Sequence, residues 1–192
     1  MTTFAAGLYG NFGQANYSSA KLGLVGLANT LSIEGRSKNI LVNTIAPIAA
    51  SRLTESVMPP AMLEVLDPKV VTPLATFLTH ETTTDTGQIF DLGGGWVSRL
   101  RWEQTQGARF DPTAGFSPKV LAGRWDEVQS FENAMHPKDI SNTLRIIGEI
   151  VGVDLGLAPQ NEYPDKTALD GQRSGNVQRQ RSEIRPSRSR TE

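Results

Sequence analysis

The hydrophobic positions early in the chain repeat with the period of an α-helix. From Ala15 onward, apolar side chains recur three or four residues apart and form two stripes on different sides of one predicted helix. A third side carries only small side chains, those of Ser19, Gly23, Gly26 and Thr30. The pattern predicts a helix over 15–34 that ends near Gly35, a residue typical of helix C-termini. Because this helix is apolar on more than one side, we expect it to be buried on several sides.

Two short apolar runs follow, and each has the length of a strand. Residues 39–47, NILVNTIAP, form a nearly continuous apolar run that ends at a proline, and residues 87–95, GQIFDLGGG, end in glycines. Continuous apolar runs of this length are typical of strands buried on both faces of a parallel sheet. We therefore predict parallel neighbouring strands at 39–46 and 88–92, with the helix packed on one face of the sheet.

The remaining segments have weaker patterns. Apolar spacing predicts helices at 52–57, 60–66, 68–81, 118–132 and 139–152. Asp139 or Ser141 is the expected N-cap of the last one. From about residue 158 the composition changes, and residues 171–192 hold six arginines and almost no apolar side chain. Such a segment cannot bury enough apolar surface to offset its ordering entropy, so we predict that 158–192 is disordered.

Composition excludes several classes of function. The net charge of the 192 residues is −1, which gives no overall field for nucleic acid or for a membrane surface. The absence of cysteine excludes disulfides and thiol catalysis, and two widely separated histidines argue against a metal site. No apolar run approaches the ~20 residues of a membrane span. These features fit a globular enzyme or an association module.

One pair of residues points to chemistry. Tyr17 and Lys21 stand four residues apart, which places them on the same face of the predicted helix. A phenol is a poor base at neutral pH because its ordinary pKa is about 10, and a nearby cation lowers the pKa of a phenol. The pair could therefore take the hydroxyl proton of an alcohol during oxidation. By itself, the same spacing also fits an ordinary helix with a surface lysine.

The surrounding sequence resembles a known family. YSSAK, residues 17–21, matches the Tyr-x-x-x-Lys motif of short-chain dehydrogenases/reductases, and NTIAP and GQIFDLGGG follow in the order typical of that family. The stretches GLYGNFGQANYSSAKLGLVGLANTLSIEG, NTIAPIAASRLTESVMPP and LRWEQTQGARF are similar to one branch of it. This branch is the (3R)-hydroxyacyl-CoA dehydrogenase portion of the peroxisomal multifunctional enzymes of β-oxidation, which include the fungal hydratase–dehydrogenase–epimerases. The resemblance covers about residues 5–135.

The resemblance implies an α/β fold, namely the C-terminal half of a Rossmann-like doubly wound parallel sheet. The Gly-rich turn that holds the cofactor pyrophosphate in this family has no counterpart in the sequence, so we expect the N-terminal half to be absent, as in a truncated copy. The expected organisation is half of a dehydrogenase domain over 1–100, an extension packing on it over 101–157, and the arginine-rich tail over 158–192.

The resemblance also implies roles for particular residues. Tyr17 would be the catalytic base or acid, and Lys21 would lower its pKa and hold the nicotinamide ribose. NAD or NADP would be bound by Tyr17, Lys21, Pro47, Ala49, Ala50, Ser51 and Arg52. Thr54 would contact the carboxamide, and Arg99 and Arg101 could meet the phosphates of an acyl-CoA substrate, although solvated arginines are the commoner case.

Partners and location follow from the same resemblance. The family implies a homodimer formed through the Tyr-Lys helix, and it implies neither a membrane nor a nucleic-acid partner. It points to the peroxisome, but the C-terminal residues SRTE are not a Ser-Lys-Leu signal, which leaves the cytoplasm as the alternative.

One departure from the family affects catalysis. The catalytic serine of the family lies thirteen residues before the tyrosine, and that position is Phe4. Thr2 and Thr3 carry hydroxyls but are out of register. Because the pyrophosphate-binding turn is missing as well, we expect no activity from this chain alone. A non-catalytic remnant that acts as an association module is the alternative function. A weaker alternative is RNA binding by the arginine-rich tail.

Overall fold

A long helix above a small sheet organises the first part of the protein. The computed structural model describes residues 1–51, 54 and 58–157. A short helix α1, Ala5–Tyr9, precedes the helix α2, Ala15–Glu34, which runs for 20 residues. The helix predicted at 15–34 is therefore confirmed with both of its ends. A 3₁₀ turn, Gly35–Lys38, follows α2 and ends at Asn39, which adopts the left-handed conformation with φ 54°.

The sheet has three strands in the order β1, β2, β3. Strands β1, Thr44–Ile48, and β2, Ile89–Gly93, are parallel, so the predicted parallel neighbours are confirmed. The first strand begins later than the apolar run predicted, because the Ile40 N–H donates to the Gly35 carbonyl and the Val42 N–H donates to the Thr86 hydroxyl instead of to a neighbouring strand. Strand β3, Trp96–Leu100, pairs antiparallel with β2 and was not predicted. On the other edge of β1, Thr2 bridges to Ile45 in parallel.

Only one side of α2 is buried among the described residues. Val25, Ala28 and Ser32 are buried, and Ala46 and Leu92 form the centre of the sheet. The prediction that α2 is buried on several sides is wrong, because Leu22, Leu27 and Ile33 are almost half exposed. Strand β1 and helix α1 both contact α2, and together they leave these three side chains partly exposed.

Two short helices lie between β1 and β2. Helix α3 is Pro60–Val65, and helix α4 is Thr72–Thr79. The helix predicted at 68–81 begins instead as a 3₁₀ turn, Pro68–Val71, whose first residues are capped by the Asp67 side chain. The helix predicted at 52–57 falls almost entirely outside the described residues, which include only residue 54 of that range.

The described chain divides into two units, Met1–Arg101 and a second one that begins at Trp102. The second unit contains α5, Pro118–Ala122, α6, Trp125–Gln129, and α7, Ser141–Val151. The single helix predicted at 118–132 is wrong, because the chain leaves helical geometry at Arg124. The Arg124 guanidinium stacks on Phe110, donates to the Arg109 carbonyl and binds Glu127. These tertiary contacts outweigh local helix propensity.

Helix α7 lies within the helix predicted at 139–152. The Asp139 carboxylate accepts a hydrogen bond from the Ser141 N–H, which satisfies one free donor of the first turn. In the part of the chain that the structure describes, no helix is long and apolar enough to cross a membrane.

Candidate active site

The first turns of α2 bring Tyr17 and Lys21 together. The Lys21 Nζ lies 5.5 Å from the centroid of the Tyr17 ring. Tyr17 is 40% exposed, so a solvent-borne molecule can reach its ring, whereas Lys21 is half-buried. The Asn16 side chain accepts a hydrogen bond from the Tyr17 N–H near the start of the helix. The geometry therefore places an ammonium beside a reachable aromatic ring, as the four-residue spacing predicted.

Three contacts position Lys21 from outside its own helix. The hydroxyl of Thr3, which is 2% exposed, donates to the Lys21 carbonyl at 2.6 Å. Gly7 in α1 packs so closely that an added Cβ would lie 2.7 Å from the Lys21 Cβ. The Lys21 Nζ donates to the Thr2 carbonyl at 3.4 Å. Sequence patterns did not identify Thr3 or Gly7 as site residues, because these contacts join segments that are more than twelve residues apart.

Phe4 stands directly beside Tyr17. The two rings meet edge to face, with centroids 5.9 Å apart and an interplanar angle of 68°. A phenyl ring has no hydroxyl with which to orient a substrate oxygen. The nearby hydroxyl of Thr3 cannot easily substitute, because it is buried and donates to the Lys21 carbonyl. The position at which the family has its catalytic serine therefore supplies packing instead of a hydrogen bond.

The loop after β1 and the start of α2 lie toward the same edge of the sheet. Ser32, near the other end of α2, packs close to Gly87 just before β2 begins. Since β1 and β2 are parallel, the start of α2 lies toward the carboxyl ends of the strands, where Pro47 and Ala49 are half-buried. Open α/β sheets bind ligands at this edge.

Part of this loop is already hydrogen-bonded within the protein. The Ala50 N–H donates to the Leu66 carbonyl at 2.7 Å, and the Ser51 N–H donates to the Thr54 hydroxyl at 2.7 Å. The Thr54 hydroxyl also donates to the Ser51 carbonyl. Two of the predicted cofactor-binding residues therefore use their backbone donors internally. Arg52, which was also predicted, lies outside the described residues.

A buried carboxylate lies on the central strand. Asp91 is 7% exposed, and its Oδ1 has no hydrogen-bond partner among the described residues. Burial raises the pKa of Asp91, while the backbone N–H of Leu92 acts in the opposite direction. The pKa of Tyr9 is also raised, first by burial and then by the charge of Asp91. The alternation of β2 gave no reason to expect a buried acid at this position.

The two arginines that could meet acyl-CoA phosphates lie at the surface. Arg99 on β3 and Arg101 just after it are both exposed. Within residues 1–51, 54 and 58–157, no group of three or more metal-binding side chains could hold an ion.

This chain is similar to a known protein family and to several larger enzymes. The short chain dehydrogenase family matches residues 1–59, which contain Tyr17 and Lys21. Peroxisomal multifunctional enzyme A of Dictyostelium discoideum is 51% identical over 144 residues, which are 75% of this chain and 32% of that protein. The peroxisomal hydratase-dehydrogenase-epimerase of Neurospora crassa is 48% identical over 171 residues, 88% of this chain and 19% of that protein. The chain thus spans a third or less of the length of these relatives.

The fold of this chain is also similar to a solved structure of a peroxisomal multifunctional enzyme. Full-length peroxisomal multifunctional enzyme type 2 from Drosophila melanogaster matches 79% of this chain, and the match covers 28% of that protein. The TM-score is 0.69 and the sequence identity is 32%. Residues 1–59, which contain α2, β1 and the Tyr-x-x-x-Lys pair, are therefore similar to the short chain dehydrogenase family.

Proposed function

We propose that this chain carries part of the dehydrogenase of a peroxisomal multifunctional enzyme. The corresponding reaction is the NAD(P)-dependent oxidation of a (3R)-hydroxyacyl-CoA to a 3-ketoacyl-CoA. The observation that carries the proposal is the Tyr17–Lys21 pair, with the ammonium 5.5 Å from the centre of a reachable tyrosine ring. The names of the relatives support a dehydrogenase and a peroxisomal location, and the choice of substrate follows from the resemblance of residues 5–135.

Each residue of the pair has a distinct role in this proposal. Tyr17 takes the proton of the substrate hydroxyl during oxidation and returns it during reduction. Lys21 lies beside the ring and would hold the nicotinamide ribose next to Tyr17. Thr3 and Gly7 keep Lys21 at its position against the ring. The bound NAD or NADP supplies the hydride acceptor.

The cofactor would lie at the carboxyl edge of the sheet. Lys21 would hold its ribose, and the loop from Pro47 to Arg52 would border its nicotinamide end. Because the N–H groups of Ala50 and Ser51 are bonded to Leu66 and Thr54, this loop would use Pro47 and Ala49 and carbonyl groups for contacts. Arg99 and Arg101 are exposed and suited to the phosphates of an acyl-CoA.

A second candidate function is an association module without catalysis. It is favoured by Phe4, whose ring stands beside Tyr17 where a hydroxyl is needed. It is also favoured by the outer side of α2, where a Cβ added at Gly23 or Gly26 would meet nothing within 4 Å. The side of α2 that carries these two glycines therefore leaves room for a second helix to approach closely. We propose that the chain forms a homodimer through α2.

The test compares the native chain with variants at Phe4 and Tyr17. Absorbance at 340 nm follows the reduction of NAD or NADP in the presence of R or S 3-hydroxyacyl-CoA. We use a high concentration of NAD or NADP, because the sequence has no Gly-rich turn to hold the cofactor pyrophosphate and binding should be weak. Under these conditions we expect no turnover by the native chain and slow turnover of the R thioester alone by Phe4→Ser. The activity of Phe4→Ser should disappear in Phe4→Ser/Tyr17→Phe.

Two results would decide against the catalytic proposal. Turnover that persists without the Tyr17 hydroxyl would show that the site is wrongly assigned. A lack of turnover in every variant, together with a dimer that Gly23→Leu dissociates, would favour the association module.

A further inference from the structure

An uncharged row of residues crosses the carboxyl edge of the sheet. Ile48 on β1 pairs with Gly93 on β2, and Gly93 pairs with Trp96 on β3. Paired residues point to the same side of a sheet, which fits the 3.1 Å between the Ile48 Cβ and a Cβ added at Gly93. Trp96 is 55% exposed and Ile48 is half-buried, while Gly93 has no side chain between them. We call these three residues the edge row.

The edge row lies on the side of the sheet that faces α2. The buried hydroxyl of Thr3 donates to a carbonyl of α2, so the Thr3 side chain points toward that helix. Thr2 bridges in parallel to Ile45. Thr3 is therefore level with the next residue of β1, Ala46, and both point to the same side. Side chains alternate along a strand, so Ile48, and with it the whole edge row, points toward α2 as Ala46 does.

Tyr17 stands at one end of the edge row. Its ring contacts Phe4, which directly follows Thr3, with the ring centroids 5.9 Å apart. The segment that contains Thr3 lies beside β1, and β2 and β3 follow in order. Three strand spacings, or about 14 Å, therefore separate this segment from Trp96. Trp96 stands at the other end of the row, within the reach of one extended ligand.

Tyr9 lies beside the edge row. It is the last residue of α1, the helix that packs against α2 through Gly7. Burial and then the charge of Asp91 raise the pKa of Tyr9, which places Tyr9 within electrostatic reach of β2. The Tyr9 side chain is 66% exposed, whereas Asp91 is buried. A ligand that lies over β2 therefore meets an aromatic ring and not an exposed charge.

The charge of β3 is on the other side of the sheet. Arg99 stands three residues after Trp96, so the alternation of the strand points Arg99 away from α2. Ser98 and Leu100, which share the side of Trp96, are uncharged. The side that faces α2 thus offers apolar and aromatic groups, which fit a hydrocarbon and not a phosphate or a carboxylate.

A 3-hydroxyacyl thioester has a hydrocarbon at the matching place. Its hydroxyl-bearing carbon, which would meet Tyr17, continues directly into the acyl chain. A butanoyl chain ends one carbon further and cannot reach Trp96. A dodecanoyl chain is long enough to extend over β1 and β2 toward the indole.

We propose that the edge row binds the acyl chain of the substrate and that Trp96 makes the site selective for long chains. The proposal rests on the proposed function, because Tyr17 defines where the chain begins. Trp96 is a specificity-determining residue in this proposal, and it takes no part in proton or hydride transfer.

The fluorescence of Trp96 gives the first test. The sequence has three tryptophans, so Trp102→Phe/Trp125→Phe leaves Trp96 as the single emitter. Below micelle-forming concentrations, (R)-3-hydroxydodecanoyl-CoA should shift its emission to shorter wavelength, whereas (R)-3-hydroxybutanoyl-CoA and free coenzyme A should not. The matched reporter is Trp96→Phe/Trp102→Phe, which keeps Trp125, 47% exposed on α6. Its emission should stay unchanged with all three ligands.

Calorimetric titration gives the second test. Trp96→Thr removes the indole and keeps a residue that favours strands. It should weaken the binding of the dodecanoyl thioester about tenfold, because several methylene groups lose their contact with the ring. The control Trp125→Ala should bind this thioester as the native chain does. Far-UV circular dichroism verifies that both variants fold.

Three results would overturn the inference. They are an unchanged Trp96 emission with the dodecanoyl thioester, an equal shift of Trp125, and equal dissociation constants for the native chain and Trp96→Thr.

A failure of the proposed function gives a different pattern. If Phe4→Ser shows no turnover while the dodecanoyl thioester still shifts only Trp96, the catalytic assignment fails and the edge row stands. If Phe4→Ser turns over both thioesters, and adding Trp96→Thr leaves the ratio of their kcat/KM values unchanged, the edge row alone fails.

Discussion

The contact between Gly7 and Lys21 allows a quantitative test of how the site is built. In Gly7→Ala, the new Cβ would lie 2.7 Å from the Lys21 Cβ and 2.9 Å from the Leu22 nitrogen. Ordinary contacts of a Cβ begin near 3.4 Å, so α1 and α2 must separate by about 0.7 Å. The obstructing atoms belong to the start of a side chain and to backbone, which cannot rotate away.

The expected cost follows from this geometry. Overpacking of this kind costs about 1–3 kcal/mol in the free energy of unfolding. Alanine gains at most about 1 kcal/mol over glycine inside a helix, and less in the five residues of α1. Gly7→Ala should therefore destabilise the protein by about 1–2 kcal/mol. The matched control is Gly23→Ala, because the new Cβ there meets nothing within 4 Å. It should stabilise the protein by about 0.5–1 kcal/mol.

Urea denaturation followed by circular dichroism measures both variants. Thermal melting should agree, with a shift of about 2–4 °C for each kcal/mol in a chain of this size. The reasoning is refuted if Gly7→Ala is as stable as Gly23→Ala. That result would mean that α1 does not pack on Lys21 as described, and Gly7 would then have no part in positioning the Tyr17–Lys21 pair.

Three further predictions concern separate parts of the first unit. Thr3→Val should cost about 1 kcal/mol of stability in urea melts, since it removes the bond to the Lys21 carbonyl, and Thr3→Ser should restore most of it. The pKa of Asp91 is raised by burial, so the stability that this carboxyl confers is full below its unfolded pKa of about 4 and is lost as pH rises through its folded pKa. Asp91→Asn should therefore have a higher melting temperature than the native chain near neutral pH, and this difference in melting temperature should become smaller in acid. A difference that stays constant across a pH series of thermal melts would contradict the burial argument. Gly23→Leu should lower the mass measured by light scattering while helicity is kept, and an unchanged mass would exclude α2 as an interface.

The sequence by itself determined the elements whose signals are local. The period of the apolar residues identified α2 with both of its ends, because a 20-residue helix repeats its pattern several times. The apolar run of residues 39–47 predicted a strand buried on both faces of a parallel sheet, and the family order of GQIFDLGGG predicted its neighbour; the parallel pairing of β1 and β2 confirms both. The spacing of Tyr17 and Lys21 predicted their proximity, because one helical turn separates them whatever surrounds the helix.

Tertiary structure alone decided the features that depend on distant segments. At Arg124 the chain leaves helical geometry, and its guanidinium is held by the ring of Phe110 and by the carbonyl of Arg109, 15 residues earlier in the chain. No periodicity records such contacts, since the partners are separated in sequence.

The sequence pattern also could not predict which sides of the helices are buried. The pattern of α2 showed several apolar sides, but the number of covering layers decided that only one of them is buried. The apolar spacing over 139–152 predicted a helix, but only the packing of the second unit decided that Asn142 is buried while Ile140 and Ile147 are exposed. Amphipathicity tells that a helix has two different sides, and only the packing of the remaining chain determines which of them faces water.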